Sequence, residues 1–473
     1  MDSDSILHRY GNQSVIILIL ILFISIPRIL TGEVYLYQAQ KSELQGFFLE
    51  ASNLYENSAS RLWWENGLYE KAAMEAKKAQ DFANAINLFE TAKKKDGLSK
   101  AGSIDLGDLY LQTGYIYSAI STWQSVGVGN QFSAGAFLRL ARASRQLGEI
   151  NNAIKFWQEV LKIEPKNDEA HYTLALLSMT RNPGNALATL MQAASLNKKW
   201  DAQVQVLREG LNLALLQDDL SYQLLVSGRS LASIGEWALA EEAFFQAILT
   251  TNEYAEAWAW LGEAYQHTEK DGYPSLQRAL LLSPNSAIIQ ALNGLYYRRQ
   301  GQLDLAWSAY SQAEALEPAN STWQLALGDL SVQKGELIIA LDYYNQAIAL
   351  APQDPEVWMG LALFSIHNDV DVSVKGLDAA LQLLKLAPDD WQSYNVMGQT
   401  LMAIGDLPSA RLYFVKASLM APDQAEIFLH LGYLLLLQNQ RDGAYESLSH
   451  SQQLDPLGGI GGQAQRLIDQ YFP

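Results

Sequence analysis

Residue types able to do acid–base or nucleophilic chemistry are scarce in this chain of 473 residues. It has no cysteine and only six histidines. Five of these histidines lie far apart in sequence: His171, His267, His367, His430 and His450. None forms an H-E-x-x-H motif or a pair at metal-ligand spacing, and neither a G-x-S-x-G motif nor a nucleotide-binding fingerprint is present. The sequence therefore predicts a non-catalytic protein with no cofactor and no metal site.

The charge of the chain excludes another class of function. Lys and Arg total 33 against 51 Asp and Glu, which gives a net charge of −18. Residues 1–100 carry −1 and the rest carry −17. Nucleic-acid binding requires clustered positive charge on the protein, because phosphates must be neutralised. We therefore expect no nucleic-acid partner.

A period of about 34 residues organises most of the sequence. Twelve units begin at residues 32, 66, 100, 134, 168, 221, 255, 287, 321, 355, 391 and 425. The eighth residue of each unit is always Gly or Ala: Ala39, Ala73, Gly107, Ala141, Ala175, Gly228, Gly262, Gly294, Gly328, Ala362, Gly398 and Gly432. A side chain this small predicts a position where two helices approach each other closely.

Three further repeat positions support a pair of helices in each unit. Position 24 is a large aromatic in eight units: Tyr55, Phe89, Trp123, Trp157, Phe244, Tyr310, Tyr344 and Phe414. Position 15 is often Gly, as at Gly114 and Gly405, which is typical of a left-handed helix C-cap. Position 32 is often Pro, as at Pro318 and Pro422, which stops the second helix.

These residues resemble the tetratricopeptide repeat (TPR) family. Trp258, Leu261, Gly262 and Tyr265 give the W-x-x-L-G-x-x-Y opening of its pattern, and Ala410 with Phe414 gives the A-x-x-x-F of its second half. The resemblance covers residues 32–456. It implies an all-α fold: a right-handed superhelical solenoid of about twelve helix–turn–helix repeats, whose first helices line a concave, peptide-binding groove.

The departures from the repeat predict the organisation of the chain. We expect an N-terminal repeat block (32–200), an inserted extra helix (201–220) and a C-terminal repeat block (221–456). Residues 457–473 then form a glycine-rich link and a capping helix. No strand precedes the glycines and no lysine follows them, so they do not form a phosphate-binding loop.

The N-terminus holds an apolar run, VIILILILFISI, from Val15 to Ile26. It is short for a membrane span and suits either an anchor helix that ends near Leu30 or the core of a cleaved signal peptide. The basic n-region and the small residues of a cleavage site are missing, which favours an uncleaved anchor over residues 1–31. This interpretation predicts a single-pass membrane protein with an extracytoplasmic repeat body.

The expected groove positions change in character along the chain. The carboxylate clamp of some TPR proteins needs Lys at position 5 and Asn at position 9, and neither occurs here. Arginines come first, at Arg142, Arg145, Arg229, Arg298 and Arg299. Apolar residues follow, among them Leu325, Met359 and Tyr433. We hypothesise that these side chains bind an amphipathic helix or an acidic–apolar peptide. The alternative is that the arginines pair internally with Asp108, Glu263 or Asp329.

Together these features predict a membrane-tethered scaffold or adaptor that binds protein or peptide partners through its concave groove. Two alternatives stay open at this point. One is a non-catalytic accessory subunit of an envelope or glycan synthesis complex. The other is a secreted peptide-binding TPR protein with a cleaved signal.

Overall fold

The structure is a computed structural model that describes residues 26–126 and 133–472, and within these ranges it is all-helical, with no strand. The helices are α1 (26–44), α2 (Phe48–Ala59), α3 (Leu68–Lys78), α4 (Phe82–Lys95), α5 (Lys100–Gln112), α6 (Ile116–Ser125), α7 (Ala134–Gln146), α8 (Ile150–Ile163) and α9 (Asp168–Met179). Next come α10 (Ala186–Leu196), α11 (Asp201–Ala214), α12 (Leu220–Ser233), α13 (Trp237–Thr250), α14 (Ala255–His267), α15 (Tyr273–Leu282), α16 (Ala287–Arg299), α17 (Leu303–Leu316) and α18 (Ser321–Gln333). The last are α19 (Leu337–Leu350), α20 (Pro355–Asn368), α21 (Leu377–Leu386), α22 (Trp391–Ala403), α23 (Leu407–Met420), α24 (Ala425–Leu437), α25 (Arg441–Leu454) and α26 (Gly459–Tyr471). The predicted all-α fold class is confirmed.

The chain forms two compact units. Unit 1 runs to Asp218 and includes Val226–Leu239, and unit 2 consists of Asp219–Leu225 and everything from Ala240 onward. Helices α12 and α13 therefore contribute to both units. The expected division into blocks at 32–200 and 221–456 stays a prediction.

Small residues face large ones inside the helix pairs, as the sequence predicts. A Cβ atom on Gly398 would lie 2.7 Å from the Phe414 ring, and one on Gly107 would lie 2.2 Å from Nε1 of Trp123. All eight aromatics at position 24 are at most 4% exposed. The core thus contains a series of interlocking small–large pairs, each within one helix hairpin.

The turns inside most hairpins use left-handed backbone, the α9–α10 turn with a φ of −145° at Asn182 being an exception. Gly46, Gly114, Gly148, Gly235, Gly301, Gly335 and Gly405 all have positive φ, which confirms the predicted glycine C-caps. Where the sequence lacks glycine, the same conformation persists at Gln80, Glu269, Asp369 and Asn439. The turn geometry is therefore imposed by the packing of the two helices and not by the glycine alone.

Two irregular repeats are accommodated by non-α turns. A 3-10 helix over Pro183–Asn185 stands where one residue is missing. A π-helical turn over Val372–Gly376 absorbs the extra residues of the repeat that starts at 355. Each adjustment keeps the following helix in position to pack.

The C-terminal glycines differ from the predicted flexible link. Gly459, Gly461 and Gly462 lie in the first turn of α26. The N–H of Gly461 donates to the Asp455 carboxylate at 2.9 Å, and a Cβ on Gly461 would lie 1.8 Å from the Asp455 carbonyl oxygen. Glycine is required at position 461 because the first turn of α26 packs directly against the backbone of Asp455.

The prediction of a membrane protein held by a single-pass anchor is corrected here. Within residues 26–126 and 133–472, no helix is long and apolar enough to cross a membrane. The helix that follows the apolar run carries Arg28, Glu33, Lys41 and Glu43, and it packs into the first repeat as α1. Val15–Ser25 lie outside the described residues. The anchor, and with it the predicted membrane localisation, is therefore not supported.

Candidate functional site

An open groove of about 530 Å³ lies in unit 2 across three successive first helices, α16, α18 and α20. We call it the α16–α20 groove. Its lining residues are Arg298, Leu325, Asp329, Val332, Gln333, Tyr344, Glu356, Met359, Gly360, Leu363, Phe364, His367 and Asn368. All but Tyr344 come from first helices, which are the helices expected to form the concave face.

The floor of the groove is apolar and firmly supported. Leu325, Met359 and Leu363 are partly exposed above the buried rings of Tyr344 and Phe364. The two ring centroids lie 5.0 Å apart. A Cβ at Gly360 would approach Leu325 Cδ2 to 3.0 Å, so a larger residue at that position would crowd the floor.

A polar network fixes one wall of the groove. The Tyr344 hydroxyl donates to Asp329 Oδ1 at 2.6 Å, and Arg298 Nη1 lies 3.7 Å from Asp329 Oδ2. Burial, reinforced by the Asp329 carboxylate, raises the pKa of Tyr344 above its ordinary value. The hydroxyl therefore stays protonated and holds Asp329 in place, while Arg298 offsets its charge.

The other end of the groove is acidic. Glu356, in the first turn of α20, has no cation within ion-pair distance among the residues that the structure describes. Desolvation, and then the nearby carboxylates of Asp354 and Asp390, raise the pKa of Glu356. The groove therefore joins an apolar floor to an end of uncompensated negative charge.

The arginines predicted to contact a ligand are largely engaged within the chain. Arg142 Nε donates to Glu169 at 2.8 Å, and Arg145 Nη2 donates to Glu236 at 2.7 Å. Arg299 makes two hydrogen bonds of 2.7 Å with Glu263, whose side chain is only 4% exposed. Arg229 also has an interaction partner. Of the predicted set, Arg298, Leu325 and Met359 come together in the α16–α20 groove.

Tyr433 lies in a different cleft, between α24 and α26. Leu429, His430, Gln463, Arg466, Leu467 and Gln470 line this cleft of about 490 Å³ with it. His430 is one of the lining residues, and its Nδ1 lies 3.0 Å from Asn395 Oδ1. Burial, together with the charge of His367, lowers the pKa of His430 to about 4, so the ring is neutral near pH 7.

No group of three or more His, Asp or Glu side chains is arranged to hold a metal ion within the described ranges. Glu356, Asn368 and His367 are groove residues that the sequence reasoning missed as a group. Glu356 and His367 occupy positions 2 and 13 of the repeat that starts at 355. The resemblance to tetratricopeptide repeats implies that positions 2, 5, 9, 12 and 13 face the groove. The repeat position of Glu356 and His367 was therefore the signal in the sequence that could have identified them.

Comparisons with known proteins agree with this architecture. Models described as tetratricopeptide repeat match residues 134–167 and 292–355, and the first range coincides with one predicted unit. The chain therefore contains tetratricopeptide repeats. A comparison with curated proteins finds no match.

Three solved structures illustrate the likeness. A chain of the APC/C hetero-tetramer Cut9-Hcn1 is 14% identical, with 93% of this chain and 96% of that chain covered and a TM-score of 0.44. Yeast Tom70 is 15% identical, with 93% and 95% covered and a TM-score of 0.45. A tetratricopeptide repeat protein from Parabacteroides merdae is 15% identical, with 52% and 98% covered and a TM-score of 0.42.

Proposed function

We propose that this chain is a non-catalytic adaptor that binds a segment of a partner protein in the α16–α20 groove. Tetratricopeptide-repeat proteins typically bind proteins and are generally non-catalytic. The observation that carries the proposal is the groove itself: Leu325, Met359 and Leu363 expose apolar surface on consecutive first helices, between polar walls. An apolar floor with polar edges suits an extended peptide or one face of a helix.

Within the proposed site, Leu325 and Met359 supply apolar contact, and Arg298 with Asp329 forms a polar wall. The other predicted ligand contacts, at Arg142, Arg145, Arg229, Arg299 and Tyr433, stay a hypothesis. The arginine–carboxylate pairs make an ionic role for Arg142, Arg145 and Arg299 less favourable, since a ligand would have to displace an internal partner.

Site-specific photocrosslinking in the native cell tests the proposal. A benzoylphenylalanine replaces Met359 in one variant and Leu412 in the control. Leu412 is 72% exposed and lies on α23, a second helix outside the groove. We expect a discrete crosslinked protein from the Met359 variant and none of that size from the Leu412 variant. Identical products at both sites, or none at Met359, would overturn the proposal.

A further inference from the structure

The charge of unit 2 restricts what its groove can accept. Residues 240–473 contain 27 Asp and Glu against 11 Lys and Arg. The cations that reach the groove from its first helices are already committed: Arg298 lies beside Asp329, and Arg299 is bound to Glu263. A ligand entering the groove therefore meets an acidic body in which the nearest arginines are neutralised.

The unbalanced charge is concentrated at one end of the groove. Glu356 lines it without an ion-pair partner in the described part of the chain, and Asp354 and Asp390 lie close enough to disfavour its ionised form. The side chains of Asp354 and Asp390 cap the starts of α20 and α22, where they accept hydrogen bonds from backbone N–H groups. They are fixed in place by these caps and cannot swing away from Glu356.

Apolar surface adjoins this acidic end directly. Met359 follows Glu356 by one turn of α20, and Leu325 on α18 lies against the same stretch of helix at Gly360. A ligand that fills the groove therefore touches carboxylate and hydrocarbon within a few residues. Asp329 and Arg298 on the far wall pair with each other, so neither requires a charged group of the ligand as a partner.

From this arrangement we infer that the occupant of the α16–α20 groove is a basic, apolar peptide segment of the partner protein. A Lys or Arg side chain of the segment pairs with Glu356, and a neighbouring apolar side chain covers Leu325 and Met359. This inference rests on the proposed adaptor function and reverses the charge of the acidic–apolar peptide that the sequence suggested. An acidic segment would add a further carboxylate beside Glu356, Asp354 and Asp390, whereas a cation relieves their mutual repulsion.

Fluorescence anisotropy with the full chain and three labelled peptides tests the inference. The peptides share a leucine pattern and differ only in the alternating residue, which is Lys, Glu or Gln. We expect the Lys–Leu peptide to bind about fivefold tighter than the Gln–Leu peptide, as for one partly exposed ion pair, and the Glu–Leu peptide to bind most weakly. The preference should diminish as salt is added.

Two matched substitutions separate the groove from the general field of the protein. Glu356→Gln should weaken binding of the Lys–Leu peptide about fivefold and leave binding of the Gln–Leu peptide unchanged. Glu446→Gln removes the same charge from an exposed position on α25, outside the groove, and should change neither. Leu325→Asn should weaken binding of both peptides.

Several outcomes would overturn the inference. They are no measurable binding of the Lys–Leu peptide, equal or tighter binding of the Glu–Leu peptide, and equal losses from Glu356→Gln and Glu446→Gln. A partner crosslinked at Met359 whose bound segment is acidic would reject the basic peptide and leave the adaptor function standing. A failure of the crosslinking itself would instead reject the proposed function.

Discussion

At the scale of single residues, the repeat is a rule about size. Position 8 must be small because the aromatic or aliphatic side chain of the second helix fills the space a Cβ would take. The closeness of this contact varies: a Cβ at Gly398 would lie 2.7 Å from the Phe414 ring, whereas one at Gly328 would lie 3.3 Å from the Tyr344 ring. Positions that look equivalent in the sequence pattern therefore differ in how well they tolerate a larger side chain.

This difference predicts unequal effects of two identical substitutions. Gly398→Ala should lower the free energy of unfolding by about 1–2 kcal/mol, because displacing the buried Phe414 ring costs more than the gain in helix propensity of about 1 kcal/mol. Gly328→Ala should be nearly neutral. The slight crowding of the Tyr344 ring by the new methyl group is offset by a gain in helix propensity of about 1 kcal/mol. Urea unfolding followed by circular dichroism measures both, and equal losses at the two sites would contradict the size rule.

A second residue-scale prediction concerns His430. Its side chain is 20% exposed and faces Asn395, the Phe414 ring and His367. It also faces Glu426, one turn earlier on α24, whose carboxylate accepts a hydrogen bond from Asn395 at 3.1 Å. The folded-state pKa of about 4 lies below the ordinary 6.5, so the folded chain binds this proton less well than the unfolded chain does. Stability contributed by neutral His430 is therefore complete above pH 6.5 and is lost as the pH falls towards 4, by roughly 3 kcal/mol.

Thermal unfolding between pH 7 and pH 4 checks this dependence. The His430→Gln variant should show a shallower fall in melting temperature than the wild type. His450→Gln is the control, since His450 is exposed on α25. An unchanged slope in His430→Gln would show that other groups cause the loss of stability in acid.

At the scale of elements, the turn between the two helices of a hairpin is where sequence and backbone disagree. Gln80 holds a φ of 61° at the end of α3, where most repeats have glycine. Its side chain is exposed, so it gains no packing in return for the left-handed backbone. Gln80→Gly should therefore raise the free energy of unfolding by about 0.5–1 kcal/mol, after the greater freedom of glycine in the unfolded chain is deducted.

Calorimetry measures this gain, with Gly405→Gln as the reverse substitution. Gly405 has a φ of 88° in the corresponding turn of unit 2. Gly405→Gln should lower the melting temperature of its unit. A loss of stability in Gln80→Gly would mean that the glutamine makes an interaction that outweighs its backbone strain.

The hairpin and its turn were predictable because they depend on residues at fixed spacing. Ala410 with Phe414, and Gly405 before them, follow from one helix pair and its C-cap. The pairing of the arginines was predictable only in part: Arg298 pairs with Asp329 and Arg299 with Glu263, as the alternative interpretation of the sequence expected. Asp108, expected as a partner of the groove arginines, is bound by Arg139, while Arg145 reaches Glu236, which is 91 residues away beyond the inserted α11. Such contacts depend on how hairpins stack, and the spacing within a repeat carries no information about that.

At the scale of the whole molecule, a repeat array has no central core, so its stability is local. The end of unit 2 shows how this works. Ala464 of α26 is fully buried in a cluster with Leu429 of α24 and Leu448 of α25, and α26 covers a surface that a further repeat would otherwise bury. Loss of that cover should unfold the last hairpin before it affects the hairpins that precede it in the chain.

Ala464→Asp tests this locality because it places an unpaired charge in the cluster. We expect faster amide hydrogen exchange in α24, α25 and α26, with exchange in α14 to α18 unchanged, since repeats transmit destabilisation only through successive neighbours. Leu457→Asp is the control. Leu457 is 100% exposed, so this substitution adds the same charge outside the cluster. Faster exchange throughout unit 2 would show that the unit unfolds as a single cooperative body. In that case the α16–α20 groove would depend on the capping helix, and the Ala464→Asp variant would also lose its ability to bind the Lys–Leu peptide.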